Sequence, residues 1–257
     1  ILNAMVVFAN LLITFTKASA SAARINEVFA VTTSMKEGAG TTPDFNNPAV
    51  KMENVSFRYA SSSVDSLENV TLTAIKGQSV GVLGGTGSGK TTLVSLISRL
   101  YDATEGYVSI FGNDVKDYSN AELRKIFGGV PQKAVLFNGT VRENMLWGDK
   151  NASDEDILSA LETAQAKDFV LEKKGGLDFV IEQDGKNLSG GQRQRLTIAR
   201  ALVAKPEILI LDDSSSALDF ATDAKLRKAL GVLREERRLT TVTVSQRATS
   251  VMHCDII

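Results

Sequence analysis

Residues 84–91 read Gly84-Gly85-Thr86-Gly87-Ser88-Gly89-Lys90-Thr91 and fit the pattern G-x-x-x-x-G-K-[ST]. The chemistry of that pattern is phosphate binding. Small residues let the backbone curl until successive N–H groups converge on phosphate oxygens. The helix that follows adds the positive end of its dipole. Lys90 is expected to reach β- and γ-phosphates, the Thr91 hydroxyl to ligate Mg²⁺, and Thr92 to complete the contact set. A plain Gly-rich turn explains the glycines but not the Lys-Thr ending between a strand and a helix. A second acidic element lies at Asp212-Asp213, after the apolar run Ile208-Leu209-Ile210-Leu211. An Asp at the carboxyl end of a buried parallel strand is where an α/β sheet places a ligand. Asp212 therefore suits a Mg²⁺-linked role, and its plainer reading is the N-cap of the next helix.

These groups need elements to hold them. Residues 79–83 (SVGVL) form a short apolar run before the Gly cluster, a buried-strand signal. Residues 90–101 carry apolar residues at helical spacing, and Val55, Phe57 and Tyr59 alternate as in a strand. Residues 207–211 and 239–244 read as further buried strands. Ser119 with Glu122, and Ser153 with Asp156, match capping boxes at helix starts. Strands alternating with helices predict an α/β domain around a largely parallel sheet.

Composition narrows the classes. The 257 residues include 43 % hydrophobic and only 6 % aromatic side chains, so the core is mostly aliphatic. The formal net charge of −1 gives no basic footprint for nucleic acid. A single Cys, Cys254, excludes an internal disulfide framework. A single His, His253, excludes multi-His metal centres.

The N-terminal run ILNAMVVFANLLITFT at 1–16 is apolar but short of the ~20 residues that span a membrane. A secretory signal would need a basic segment before it, and none precedes it here. Lys17, the small residues after it and Ala23-Arg24-Ile25-Asn26-Glu27-Val28 fit better the cytoplasmic end of a membrane helix that begins upstream of Ile1. An amphipathic surface helix is the other reading. Residues 36–49 have linker composition, with two Pro and two Gly. The expected organisation is a helix and its extension at 1–35, a linker at 36–49 and a domain at 50–257 that continues into another strand after Asp255.

Leu188-Ser189-Gly190-Gly191-Gln192 opens an amphipathic helix. Locally, Ser189 and Gln192 make a capping box. That reading leaves the two adjacent glycines unexplained. LSGGQ about a hundred residues after the phosphate loop and about twenty before Asp212 resembles the nucleotide-binding domain of ABC transporters, over about residues 48–257. The resemblance implies a P-loop NTPase with a mainly parallel core sheet, an antiparallel β subdomain and an α-helical signature subdomain. It implies ATP and Mg²⁺ as ligands. Tyr59 then resembles the aromatic residue that stacks on adenine. Gln132 resembles the Q-loop glutamine that meets Mg²⁺, water and the membrane domain, and Ser216-Ala217-Leu218-Asp219 resembles the D-loop. In the family two domains pair head to tail, and each ATP lies between one P-loop and the partner's LSGGQ, here Ser189, Gly190, Gly191 and Gln192. The N-terminal helix resembles the end of the last membrane helix of fused exporters, which implies the cell membrane with the ATPase on its cytoplasmic side. Only 98 residues separate Lys90 from Ser189, too few for the coiled-coil insertion of DNA-repair relatives.

Two catalytic positions depart from the family pattern. Asp213 stands where the family usually has Glu, and Gln246 where it usually has His before Arg247. Asp is a methylene short for polarising water, and Gln can hydrogen-bond phosphate but cannot carry a positive charge or shuttle a proton. His253 lies seven residues beyond Gln246, ~10 Å along a helix, and is expected to face solvent. Together these resemble the degenerate-site half of a heterodimeric exporter of drug-, lipid- or peptide-like substrates. Its own site would turn over slowly, and its LSGGQ would complete a competent site in a partner that supplies Glu and His. A weakly active homodimer and a regulatory nucleotide sensor are the alternatives. The segment Glu182-Gln183-Asp184-Gly185 resembles the exporter X-loop only in part.

Overall fold

The computed structural model describes all 257 residues, which form two compact units, Ile1–Lys36 and Glu37–Ile257. The first is one helix, α1 (Leu2–Phe29), with no buried residue. At 28 residues it is ~42 Å long, and its apolar window has a mean hydropathy of 1.4, long and apolar enough to cross a membrane.

The second unit opens with β1 (Val50–Phe57), β2 (Leu67–Ala74), β3 (Ser79–Leu83) and α2 (Lys90–Ile97). Then come β4 (Glu105–Ile110), β5 (Asn113–Asp114), α3 (Asn120–Ile126) and β6 (Phe127–Val130). A mostly helical stretch follows: β7 (Gly139–Thr140), α4 (Val141–Leu146), α5 (Asp154–Thr163), α6 (Lys167–Glu172), β8 (Val180–Ile181) and α7 (Gly190–Val203). The chain closes with β9 (Ile208–Asp212), α8 (Phe220–Arg237), β10 (Thr240–Ser245) and α9 (Ala248–Val251).

Two four-stranded sheets organise these elements, and β7 and β8 pair as a separate two-stranded antiparallel ribbon. The antiparallel one runs β2-β1-β4-β5 and the parallel one β3-β10-β9-β6. All five residues of β9 are buried, as expected of a central parallel strand covered on both faces. Its period of two divides the core. Ile208 and Ile210 join the cluster of Met52, Leu96, Ile97 and Ile110, whereas Leu209 and Leu211 join Ile157, Leu161 and Leu196 from the helical stretch. Ser119 and Ser153 close their capping boxes at α3 and α5. Ile256 forms an isolated parallel bridge with Val80 of β3.

One element ends earlier than its apolar spacing suggests. Helix α2 stops at Ile97 rather than 101, because Arg99 turns left-handed (φ 53°) and Leu100 N closes onto Ser95 O at 2.7 Å. The Arg99 guanidinium is held by Asp102 (3.2 Å) and the Tyr118 carbonyl (3.0 Å). The segment of linker composition is pinned to the second unit from Glu37 onward. Gly40 N donates to Asp117 O at 3.0 Å, Asp44 N to Phe111 O at 3.1 Å, and Phe45 packs edge-on against Phe111.

Candidate functional site

Parallel pairing fixes where the chemistry-bearing residues emerge. Val82 pairs with Val244, and Val244 with Asp212, so β3, β10 and β9 end abreast. The Gly84 loop, Asp212-Asp213 and Gln246 leave the sheet at that one edge despite their separation in sequence. This is the ligand-binding end of a parallel sheet.

The loop wraps the start of α2. Ser88 Oγ donates to Gly85 O at 2.9 Å, and Lys90 Nζ rests on the same carbonyl at 2.5 Å. The ammonium therefore lies over the loop, where polyphosphate oxygens would meet it. Gly89 caps the helix at φ 84°, and a Cβ there would come within 2.5 Å of Ser66 O and 2.9 Å of Leu67 Cδ2. Gly89→Ala is expected to lower stability by about 1–3 kcal/mol, measured by chemical denaturation, because it adds a clash to a left-handed backbone.

Thr91 Oγ1 donates to Asp212 Oδ2 at 3.0 Å, joining α2 to the end of β9. Burial pushes the Asp212 carboxyl up. The Thr91 hydrogen bond pulls it down, the neighbouring Asp213 pushes it up, and Lys90 pulls it down. Asp212 does not cap a helix; that role belongs to Asp219 at α8. Asp213 is buried in the left-handed region (φ 46°), its N–H donating to Val244 O at 3.0 Å. Gln132, exposed on the loop after β6, donates Nε2 to Asp213 Oδ2 at 3.3 Å. Gln246 and His253 are exposed.

Tyr59 lies two residues beyond β1. Its hydroxyl pairs with Thr92 Oγ1 at 3.1 Å, and its ring meets Phe57 (4.8 Å) and Tyr101 (5.3 Å) edge-on. The contact with Tyr101, and the place of Asp65 beside the phosphate loop, carry no sequence signal, since they join residues by no helical or strand spacing.

Ser189 and Gln192 close a capping box at α7: Ser189 Oγ accepts from Gln192 N at 3.2 Å, and Ser189 N donates to Gln192 Oε1 at 3.0 Å. The local reading of this pair is thus realised. It leaves Gly190 exposed and Gly191 partly so at the helix N-terminus. Gly190 lines a cavity with Gln132, Arg193 and Ala217, separate from the one lined by Gly87–Thr92. The phosphate loop and the Ser-Gly-Gly segment thus line different cavities.

The sequence profile of the family described as ABC transporter matches residues 67–216. The chain belongs to the ABC transporter family. All 257 residues align at 42 % identity with the ABC transporter ATP-binding protein YfiB of Bacillus subtilis (strain 168), itself uncharacterised, over 44 % of that protein. A protein of Staphylococcus aureus (strain NCTC 8325 / PS 47), provisionally named a multidrug export ATP-binding/permease protein, is 39 % identical over 87 % of this chain and 38 % of its own length. The structure of a bacterial Atm1-family ABC exporter with ATP bound superposes with a TM-score of 0.85 at 29 % identity, covering 94 % of this chain and 42 % of that one. The chain thus spans less than half the length of these relatives. Its fold is the P-loop NTPase-like ABC fold.

The donor set of this ABC domain fits a magnesium nucleotide. No group of three or more His, Cys, Asp or Glu side chains converges anywhere in the chain. A cation beside Thr91 and Asp212 would therefore take much of its shell from phosphate and water, the habit of Mg²⁺. The upward push on the buried Asp212 carboxyl is one that a divalent cation would reverse.

Proposed function

We propose that the chain is the ATP-binding part of one half of a heterodimeric ABC exporter, coupling ATP binding and hydrolysis to export of a drug-, lipid- or peptide-like substrate. The observation that carries this reading is the mismatch within one chain. An intact Ser189-Gly190-Gly191-Gln192 segment coexists with Asp213 and Gln246 at the catalytic edge. A homodimer of this chain would hold two copies of the same weakened site. A partner with Glu and His would leave one competent site, completed in trans by this chain's signature.

In this reading Gly84, Gly85, Thr86, Gly87, Ser88 and Gly89 offer backbone N–H groups to the phosphates, and Lys90 leaves Gly85 O to neutralise them. Thr91, Asp212 and Gln132 would hold Mg²⁺, which supplies charge neutralisation across the β- and γ-phosphates. Tyr59 stacks on adenine and Thr92 closes the pocket beside it. Asp213 and Gln246 orient water poorly, so this site turns over slowly. The two-glycine start of α7 offers its N–H groups and dipole to the partner's γ-phosphate. Residues 1–35 act as the end of a membrane helix and its extension, 36–49 as the connection and 50–257 as the ATPase domain, placed on the cytoplasmic side of the cell membrane.

The test is Lys90→Ala in the full chain in detergent. MgATP affinity is expected to fall by tenfold or more, as titrated directly, because a charge-assisted contact to phosphate is lost. Unchanged affinity would count against the nucleotide assignment.

A further inference from the structure

Loop 58–66 joins β1 to β2 and carries Tyr59. Its root is closed by Ser66 N donating to Phe57 O at 2.8 Å and by Arg58 N donating to Thr104 Oγ1 at 3.1 Å. Across the loop Arg58 grips Asp65 with two hydrogen bonds, Nε to Oδ1 at 2.8 Å and Nη2 to Oδ2 at 3.2 Å. This fork is the geometrically specific form of an ion pair. The guanidinium holds the Asp65 carboxyl below the usual carboxylate range.

The position of Asp65 is unusual. It is the one acidic residue lining the cavity formed with Gly87, Ser88, Gly89, Lys90 and Thr91. An uncompensated carboxylate beside a phosphate loop repels a polyphosphate. Arg58 neutralises it in place, and the pair ties together the two ends of the loop that holds Tyr59. The rest of the loop is tied as well, by Ser62 N donating to Tyr59 O at 2.9 Å and by Tyr59 Oη against Thr92 Oγ1.

We propose that the Arg58–Asp65 pair is a positioning clasp that sets Tyr59 to receive the base of the nucleotide, so that it governs affinity for the base over and above the charge it neutralises beside the phosphates. The proposal rests on the nucleotide reading of the site. Toward the base, Asp65 acts through the loop, and Arg58 acts through Asp65.

The experiment titrates the full chain in detergent with MgATP and, separately, with magnesium tripolyphosphate, which has no base. The readout is the ratio of the two affinities, which cancels any direct electrostatic effect on phosphate. Asp65→Asn and Arg58→Gln are each expected to lower the ratio about three- to fivefold, the scale of a well-formed exposed ion pair. The exchanged pair, Arg58→Asp with Asp65→Arg, is expected to restore the ratio to within about twofold of the starting protein. A merely structural contact would not sort the two ligands in this way. The proposal is overturned if the ratio is unchanged in the single variants, or if the exchanged pair leaves it as low as they do. If Lys90→Ala leaves both titrations unchanged, the nucleotide reading itself fails, an outcome distinct from failure of the clasp.

Discussion

Gly191→Asp is expected to abolish nearly all ATPase activity of the assembled two-chain transporter while leaving ATP affinity at this chain's own phosphate loop within about twofold. Gly191 is the second residue of α7, and its added Cβ would lie 3.2 Å from the Ala217 carbonyl, a tight but tolerable contact. An aspartate in the first turn of a helix favours the helix dipole, so α7 itself is not expected to melt. The loss therefore comes from the ligand side. A carboxylate ~4 Å from a γ-phosphate costs ~4 kcal/mol at an effective dielectric of about 20, and the side chain also blocks approach to the backbone N–H groups. Gly191→Ala adds the same Cβ without the charge and is expected to lose much less. On the proposed division into one slow and one working site, Asp213→Ala in the same complex is also expected to cost little. The measurement is the ratio of the ATPase losses at matched protein levels. Equal losses from Gly191→Asp and Asp213→Ala would refute the division into one slow and one working site, and a symmetric homodimer would become the better reading.

The contrast between residues 84–91 and residue 65 explains what is legible in the sequence. The phosphate loop is contiguous, so its pattern survives without any knowledge of the fold. The central strand is readable at 208–211 because burial on both faces demands an unbroken apolar run, the strands at 79–83 and 239–244 are readable because they are rich in Val and Thr, and the parallel sheet then brings Gly84, Asp212 and Gln246 to one edge. Asp65 belongs to the same cavity through a loop closure, and no spacing rule ties it to Arg58 or to Gly87. The end of α2 is hidden because the apolar spacing continues past Ile97 while the backbone turns left-handed at Arg99. Composition marks 36–49 as irregular, which it is, but composition carries no information about the carbonyls of Phe111 and Asp117 that pin it. The signature segment offers the opposite lesson. Its capping box is real, and it also frees the two glycines that the box does not use.

Restoring both departures, Asp213→Glu with Gln246→His, is expected to raise turnover at this chain's site by about tenfold or more, and by more than the product of the two single changes. Asp213 is buried, and its carboxylate is already engaged by Gln132 Nε2 at 3.3 Å. On the proposed reading, a shorter side chain so held would fall short of a water in line with the γ-phosphate, and displacements of ~1 Å can cost about a hundredfold. Asp213→Glu alone would extend the carboxylate toward that water. The longer side chain would also have to occupy a left-handed backbone at φ 46°, a region in which Asp is enriched over longer side chains. The gain from this single change is therefore expected to be partial. Gln246 is exposed at the end of β10, whose Val244 pairs with Asp212, so a histidine there has room to reach the same edge. It would add a group that carries charge and moves a proton, which Gln lacks. Base function of this kind is worth ~10²–10⁴ in rate, and it requires the acceptor and its electrostatic partner together. The assay uses a partner chain whose own site is disabled, so that all turnover comes from this one. If the double variant gains nothing, the slow step lies in the partner's signature rather than in Asp213 and Gln246, and the same two substitutions would then leave the transport rate of the intact complex unchanged as well.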